Sequence, residues 1–295
     1  MTMLAILLGV ILERYITHLD QFRTYGWFVE FTHWTRHRFA HKAYWNDTVA
    51  VLIILLLPVL AIGVVHQQLA GVAVLLGFVF NIMILLYCFG PTDLHEAARH
   101  FITAREHDDQ ISAEEYATTI IGAPLPDDDS ELFGKIGRTL LIATNQRLLA
   151  VFFWFVVLGP MGAVLYRLSC ILLREAHAET DDLGPENGNG FVQSIQLLFA
   201  ILNWIPSHLT ALCYAVMGSF IDALHEWKRH KGFDALDPDA AHNMLVCTGL
   251  GSLRMDADSI SFDQASLKHI LELGFRTTIV WLTALALITM AGWAA

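Results

Sequence analysis

Apolar residues in this chain gather into runs of membrane length, separated by polar connections. A hydrocarbon core takes about 20 apolar residues of helix. Residues 48–70, "TVAVLIILLLPVLAIGVVHQQLA", have that length, and 71–89, "GVAVLLGFVFNIMILLYCF", follow after almost no loop. Residues 148–173, "LLAVFFWFVVLGPMGAVLYRLSCILL", are long enough to span with tilt or with a break at Gly159–Pro160. Residues 274–293 form an uninterrupted final span. Two segments are ambiguous. Residues 3–16 are about half a membrane long at 1.5 Å per residue, and 191–220 are long but interrupted by Asn203, Pro206 and His208. The pattern predicts an all-α, polytopic membrane protein with amphipathic interfacial helices, built as one domain over 1–295.

Lys and Arg near span ends set orientation. The connection 17–47 carries Arg23, Arg36, Arg38 and Lys42, while 64–70 carries none. The connection 90–147 carries Arg99, Arg105, Lys135, Arg138 and Arg147. By contrast 174–190 has one Arg174 against Glu175, Glu179, Asp181, Asp182 and Glu186. The connection 221–273 is again basic, with Lys228, Arg229, Lys231, Arg254 and Lys268. These alternate if both ambiguous segments cross, which places 90–147 and 221–273 in the cytoplasm and both termini outside. The two lobes are predicted helical. "SAEE" at 112–115 reads as a capping box, Pro238 as a helix start, and Thr92 as the cap of "GPTDLHEAARHF".

Composition supports the membrane reading. The chain is 55% hydrophobic and 16% charged, where a soluble domain carries about a quarter charged residues. A net charge of −11 argues against nucleic acid, because there is no basic block to neutralise phosphates. The four Cys form no CxxC pair and read as small buried side chains. The first apolar stretch lacks the basic flank and cleavage site of a signal peptide.

Candidate chemistry is sparse, and no cofactor or metal is called for. In "HEAARH" the two histidines are five apart, about 140° around a helix, unlike the i, i+4 spacing of a zinc helix. His33, His37 and His41 form one stripe, but interleaved with Trp34, Arg36, Arg38 and Phe39 they read as a helix at the membrane surface. "DDD" at 127–129 and "REHDD" at 105–109 read as solvated loops, and "GLGSLRM" at 249–255 as a turn. Charge and polarity inside the apolar segments are the sharper signal, since they are costly there and usually face a bundle interior. The candidate ligand-binding residues are Glu13, Arg14, Arg167, Asn203 and His208. Pro160, Tyr166, Trp204 and Pro206 are candidate structural residues. Pro206 lacks an N–H and is expected to break its helix, with Asn203 bonding the freed backbone, Trp204 anchoring the break, and Asn203, His208 and Arg167 around one cavity.

The order of "ILER" near the start, "GPTDLHEAARHF", "FFWFVVLGPMGAVLYRL" and "LNWIPSHLTALCYAVMGSF" resembles the AmpE family of inner-membrane proteins, over most of the chain. That family is encoded beside the anhydro-muramyl-peptide amidase that represses inducible β-lactamase. It is itself related to CobD/CbiB, the membrane synthase that makes adenosylcobinamide phosphate. The resemblance implies an inner-membrane regulatory role in β-lactamase induction and cell-wall recycling. The implied partners are the bilayer, a small anionic ligand and a protein of that system. The alternative it implies is a membrane enzyme acting on an activated, phosphate-containing substrate. "NWIP", Thr210 and "YR" look like retained scaffold of a ligand site. The synthase pattern has an acidic pair where this chain has Phe199 and Ala200, Arg where it has His208, and Asn-Thr-Leu-Asp where it has "CILL" at 170–173. "TNQRLLA" at 144–150 likewise lacks the synthase's Glu-Asn and Asp. Carboxylates that would hold cations against phosphates are therefore missing from those positions.

The charge alternation makes a prediction about sidedness. A cysteine placed at Gly188 is expected to react with a membrane-impermeant thiol reagent added to intact cells, and one placed at Asp128 is not; the opposite pattern rejects the orientation.

Overall fold

In the computed structural model, residues 2–15, 25–39, 47–90, 94–122, 124–183, 189–229, 238–255 and 262–290 are described, and among them the regular structure is entirely helical. In chain order the helices are α1 (Thr2–Tyr15), α2 (Gly26–Phe39), α3 (Asp47–Val72), α4 (Val74–Cys88), α5 (Leu94–Glu106), α6 (Gln110–Ile121) and α7 (Asp129–Thr144). A π-helical turn, Asn145–Leu149, joins α7 to α8 (Ala150–Leu158). Then come α9 (Pro160–Leu183), α10 (Asn189–Met217), α11 (Phe220–Arg229), α12 (Pro238–Ser252) and α13 (Gln264–Met290). Thr92, His41, Gly188 and the side chain of Arg14 lie outside the described residues.

The helices bury two apolar clusters. The first draws on α1, α3, α4, α8, α9, the start of α10 and the end of α13, with Ile54, Leu85, Phe152, Phe199 and Trp281 inside. The second draws on α5, α6, α7, the end of α10, α12 and the start of α13, with Phe101, Ile136, Leu141, Tyr214 and Ile270 inside. The stretches 90–147 and 221–273, read as two lobes, thus share one core. The α7–α8 rod, α10 and α13 pass through both clusters.

Four helical stretches are long and apolar enough to cross a membrane: Asp47–Val72, Asp129–Leu158, Gly190–Met217 and Gln264–Leu287. Around the first cluster, apolar side chains also point outward. On α3 and α4, Leu57, Leu60, Val64, Val74 and Leu75 are all more than half exposed. On α10, Leu197, Ile201, Ile205, Leu209, Leu212 and Val216 make an exposed stripe at helical spacing. An apolar band of this extent is compatible with hydrocarbon and not with water.

Two expectations need correction. Residues 148–173 are not one span. Gly159 takes φ 66°, ψ −153°, a conformation essentially reserved for glycine, and the chain folds back there into α9. Pro160 then starts α9, where its missing N–H costs nothing. The helix that is long enough to cross begins at Asp129 instead, because the amphipathic face of α7 (Leu132, Phe133, Ile136, Leu140) runs on into α8. Residues 191–220 are not broken at Pro206 either, since α10 is continuous through it to Met217; the chain leaves the helix only at 218–219.

Smaller corrections concern helix ends. Asp109, not Ser112, caps α6, its Oδ1 accepting from the Ser112 N–H at 3.2 Å. A hydrogen bond from the Ser112 side chain, together with this one, holds the Asp109 carboxyl below its usual range. Asp128 caps α7 through the Glu131 N–H at 3.0 Å. Of "GLGSLRM" at 249–255, the first four residues end α12 and the turn follows at 253–254, while Gly249 lets the helix close on Leu141. Between α5 and α13, Lys268 Nζ donates to Glu106 Oε1 at 2.7 Å, and that hydrogen bond lowers the Glu106 pKa.

The fold-back at Gly159 depends on a positive φ. Nearby, a Cβ on Gly162 would collide with the Trp154 carbonyl oxygen. Gly159→Ala is expected to destabilise the detergent-solubilised protein by about 1–3 kcal/mol, the cost of holding a side chain in that backbone region. Gly71→Ala, at a site with nothing within 4 Å of the new methyl, is the control expected to change thermal unfolding little.

Candidate functional site

The polar residues of the interior meet where the two apolar clusters join, at the π-helical turn. A π turn adds a residue to the helix and re-aims side chains, and such turns are frequent at functional sites. Here it carries "NQR", and Asn145 and Arg147 are buried. Asn145 Nδ2 donates to Asn203 Oδ1 of α10 at 2.8 Å. The Tyr166 hydroxyl of α9 donates to the same oxygen at 2.9 Å. The Thr210 hydroxyl lies 2.9 Å from both Asn145 Oδ1 and the Pro206 carbonyl, so one hydrogen serves two acceptors. Asn145, Asn203, Tyr166 and Thr210 are all fully buried. Three helices are therefore joined by a dry hydrogen-bonded network, in which each bond is electrostatically stronger than in water.

Both helix irregularities beside this network are satisfied from another helix. At the π turn, the Asn145 N–H bonds the Ile142 carbonyl, and the Leu141 carbonyl accepts from the Tyr214 hydroxyl of α10 at 2.8 Å. In α10, Pro206 offers no N–H to the Leu202 carbonyl, which instead accepts from Trp154 Nε1 of α8 at 2.9 Å. Unmet backbone groups are not tolerated in a dry interior, so these donors are what keep α10 continuous. Trp154, not Asn203, is thus the partner of the freed backbone. Trp204 lies half-exposed on the outer face and anchors no break.

Around the network lie further polar pairs. Arg147 Nη2 meets Glu13 Oε1 of α1 at 2.7 Å, with both side chains largely buried, and Arg147 Nε donates to the Phe89 carbonyl at 3.1 Å. Gln146 Nε2 lies 2.8 Å from His242 Nε2 of α12. His95 Nε2 lies 3.0 Å from the Thr144 hydroxyl. The second histidine of "HEAARH", His100, stacks on Tyr116 instead.

The expected convergence of Asn203, His208 and Arg167 does not occur. In a continuous helix, residues five apart point about 140° apart, so Asn203 faces inward and His208 outward. The His208 ring sits 4.5 Å from Trp204 and 5.8 Å from Trp227 of α11, with Nδ1 2.7 Å from the Trp204 carbonyl. Tyr166 and Arg167 diverge for the same reason: Tyr166 faces the network, while Arg167 turns to α2. Arg167 Nε donates to the Tyr25 hydroxyl at 3.3 Å, and its guanidinium lies 5.6 Å from the Tyr25 ring centroid. Glu13 does join the polar layer, through Arg147. Asn145 and Arg147 were not among the candidates; the signal was "TNQR" interrupting an apolar face, though its register depends on the π turn.

One atom in the layer is unmatched. Asn203 Nδ2 is buried without a hydrogen-bond partner. An orphaned amide donor of this kind costs about 1–3 kcal/mol, and it marks where an oxygen of a bound molecule or water would be accepted.

A chain whose described regular structure is helical, with several helices able to cross a bilayer, an outward apolar band and a buried polar layer, is a multi-pass membrane protein. Comparison with known proteins is specific about its kind. The chain matches the family described as regulatory signalling modulator protein AmpE over residues 1–294, and it belongs to that family. It is similar to "Protein AmpE" of Shigella flexneri, 24% identical over 251 residues covering 80% of this chain and 83% of that protein. It is also similar to "Cobalamin biosynthesis protein CobD" of Stutzerimonas stutzeri (strain A1501), 25% identical over 195 residues covering 64% of this chain and 60% of that protein. No solved structure matches it.

The network predicts strong coupling between Asn145 and Asn203. Asn203→Ala strands the Asn145 amide and the Tyr166 hydroxyl, and is expected to cost about 2 kcal/mol or more. In a double-mutant cycle with Asn145→Ala, measured by unfolding in detergent, the two losses are expected to be non-additive by about 0.5–3 kcal/mol. Simple additivity would show that the bond does not hold α7–α8 to α10.

Proposed function

We propose that this protein is an inner-membrane regulator in β-lactamase induction and cell-wall recycling, acting by binding a small anionic metabolite or a protein partner rather than by catalysis. In this reading the second apolar cluster faces the cytoplasm, in keeping with its Lys and Arg content. Membership of the AmpE family supports the regulatory part. The single observation that carries the non-catalytic part is the make-up of the polar layer. Among the described residues its members are amides, hydroxyls, imidazoles and one carboxylate, Glu13, which is paired with Arg147. Among the described residues no three His, Cys, Asp or Glu side chains come together as metal ligands. A ligation on a phosphate-bearing substrate calls for carboxylates that hold cations against the phosphates.

The similarity to a cobalamin biosynthesis protein favours, as a second reading, an enzyme acting on an activated phosphate-containing substrate. One strain set separates the two. Deleting the chain is expected to change the level of β-lactamase reached on induction. Reintroduction is expected to restore that level, but not to rescue cobalamin synthesis in a strain lacking its own cobinamide-phosphate synthase. An Arg147→Met variant that accumulates in the membrane is expected to fail in the first assay, through loss of the Glu13 tie. Rescue of cobalamin synthesis would overturn the regulatory reading in favour of the second.

A further inference from the structure

A groove of about 650 Å³ lies between α2, α3, α4 and α9, on the membrane side of the polar layer. That is within the range of small-molecule sites, about 300–1,000 Å³. Its walls include Trp27, Leu57, Pro58, Ile84, Tyr87 and Leu168. The lining is apolar along its length. It opens on the face that carries the outward apolar side chains, with Leu57 itself 55% exposed. At one end stand hydrogen-bonded aromatics of the kind that settle at a membrane interface. Trp27 Nε1 donates to the Tyr87 hydroxyl at 2.7 Å, and the Tyr25 hydroxyl donates to the Tyr87 carbonyl at 2.6 Å.

Behind Tyr25 sits Arg167. It forms no ion pair with any described carboxylate. Among the described residues its one hydrogen bond is from Nε to the Tyr25 hydroxyl, and the guanidinium lies over Gly90, where a Cβ would collide with it. The contrast with the neighbouring cation is direct. Arg147, bonded to the adjacent Phe89 carbonyl, is neutralised by Glu13, whereas Arg167 has no carboxylate partner among the described residues; it does not line the groove itself but stands behind Tyr25, next in α9 to the lining residue Leu168. An uncompensated charge there is costly unless something of opposite sign comes to it. With Nε held by Tyr25 and the ring under its plane, the terminal nitrogens remain as a fork suited to phosphate.

We propose that the groove holds the hydrocarbon chain of a membrane lipid bearing one anionic phosphate, and that Arg167 is the counter-charge of that phosphate. The aromatics at the mouth set the depth of the headgroup. Leu57, Ile84 and Leu168 contact the chain. The inference is independent of the regulatory reading above, because it concerns a different face of the protein and its test reads lipid binding, not induction.

The test is native mass spectrometry of the full chain in detergent, with one lipid added at a time. Oleoyl lysophosphatidic acid is expected to bind about tenfold more tightly than oleoyl lysophosphatidylcholine, a difference of about 1.4 kcal/mol. Arg167→Gln is expected to abolish that preference while leaving the zwitterionic lipid bound. Ile84→Trp, which fills the groove, is expected to weaken both lipids. Inorganic phosphate is expected not to displace either. Should Arg167→Gln fail to accumulate, Leu57→Glu serves in its place, since a carboxylate in the groove must reverse the preference. The proposal is overturned if the wild type shows no preference for the anionic lipid, or if neither charge variant alters it. Displacement by inorganic phosphate alone would equally overturn it, by making this a site for free anions.

Discussion

The hydrogen bond from Asn145 to Asn203 is the constraint on which the rest of the arrangement depends. It joins the α7–α8 rod to α10 at the level where one apolar cluster gives way to the other. Both partners sit at helix irregularities, the π turn on one side and Pro206 on the other. An irregular helix in a dry interior frees backbone groups that must be met from elsewhere. Tyr214 and Trp154 meet them, each reaching from one of these two helices to the other. The two defects and the two aromatic donors therefore fix the register of α10 against the rod. Tyr166 and Thr210 follow from that register, since only in it do their hydroxyls reach the two amides.

How much of this was legible in the sequence depends on the range of the interaction concerned. Apolar runs gave α3, α4 and the end of α13 as helices, because hydropathy over about 20 residues is a local property, although α4, at 15 residues, is shorter than the span read at 71–89. Local signals also exposed Glu13 and Asn203, while Tyr166 and Thr210 were marked only by the family resemblance. The positions of the turns were harder. Within 148–173 the sequence leaves tilt or a break at Gly159–Pro160 open, and only the structure shows that a single φ of 66° turns the break into a hairpin. Local reading also made Pro206 look like a break. Its cost is removed by Trp154, 52 positions earlier, and no pattern within α10 announces a donor on another helix. The π turn was hidden for a related reason: inserting a residue shifts the facing of everything after it, so periodicity places Asn145 and Arg147 wrongly.

Glu13 and Arg147 show what the polar layer does for the short first helix. At 14 residues, α1 is too short to cross a hydrocarbon core by itself. It is held by Gly9, which lets it close on Leu85 and Phe89, and by the ion pair at its far end. Arg147 also bonds the Phe89 carbonyl, so one guanidinium ties α1, the end of α4 and the π turn together. A buried pair of this kind is weak evidence of stability, because desolvation offsets much of the attraction. Its contribution is to specify which surfaces meet, and a lone Glu13 or Arg147 in that place would be strongly unfavourable.

The same reasoning separates specification from stability for the layer as a whole. Leucine-like side chains at 145, 203 and 210 would fill similar volume without any buried amide to satisfy, and burying polar groups is at best neutral against such a core. Yet the layer retains an amide donor, Asn203 Nδ2, that the described protein leaves unmatched. Stability alone does not account for that atom. It comes with the carboxamide whose Oδ1 fixes the register. What it offers is a directed donor at the junction of the two clusters, on α10, which runs through both. An oxygen accepted there would touch the helix pair whose relative position sets the rest of the structure.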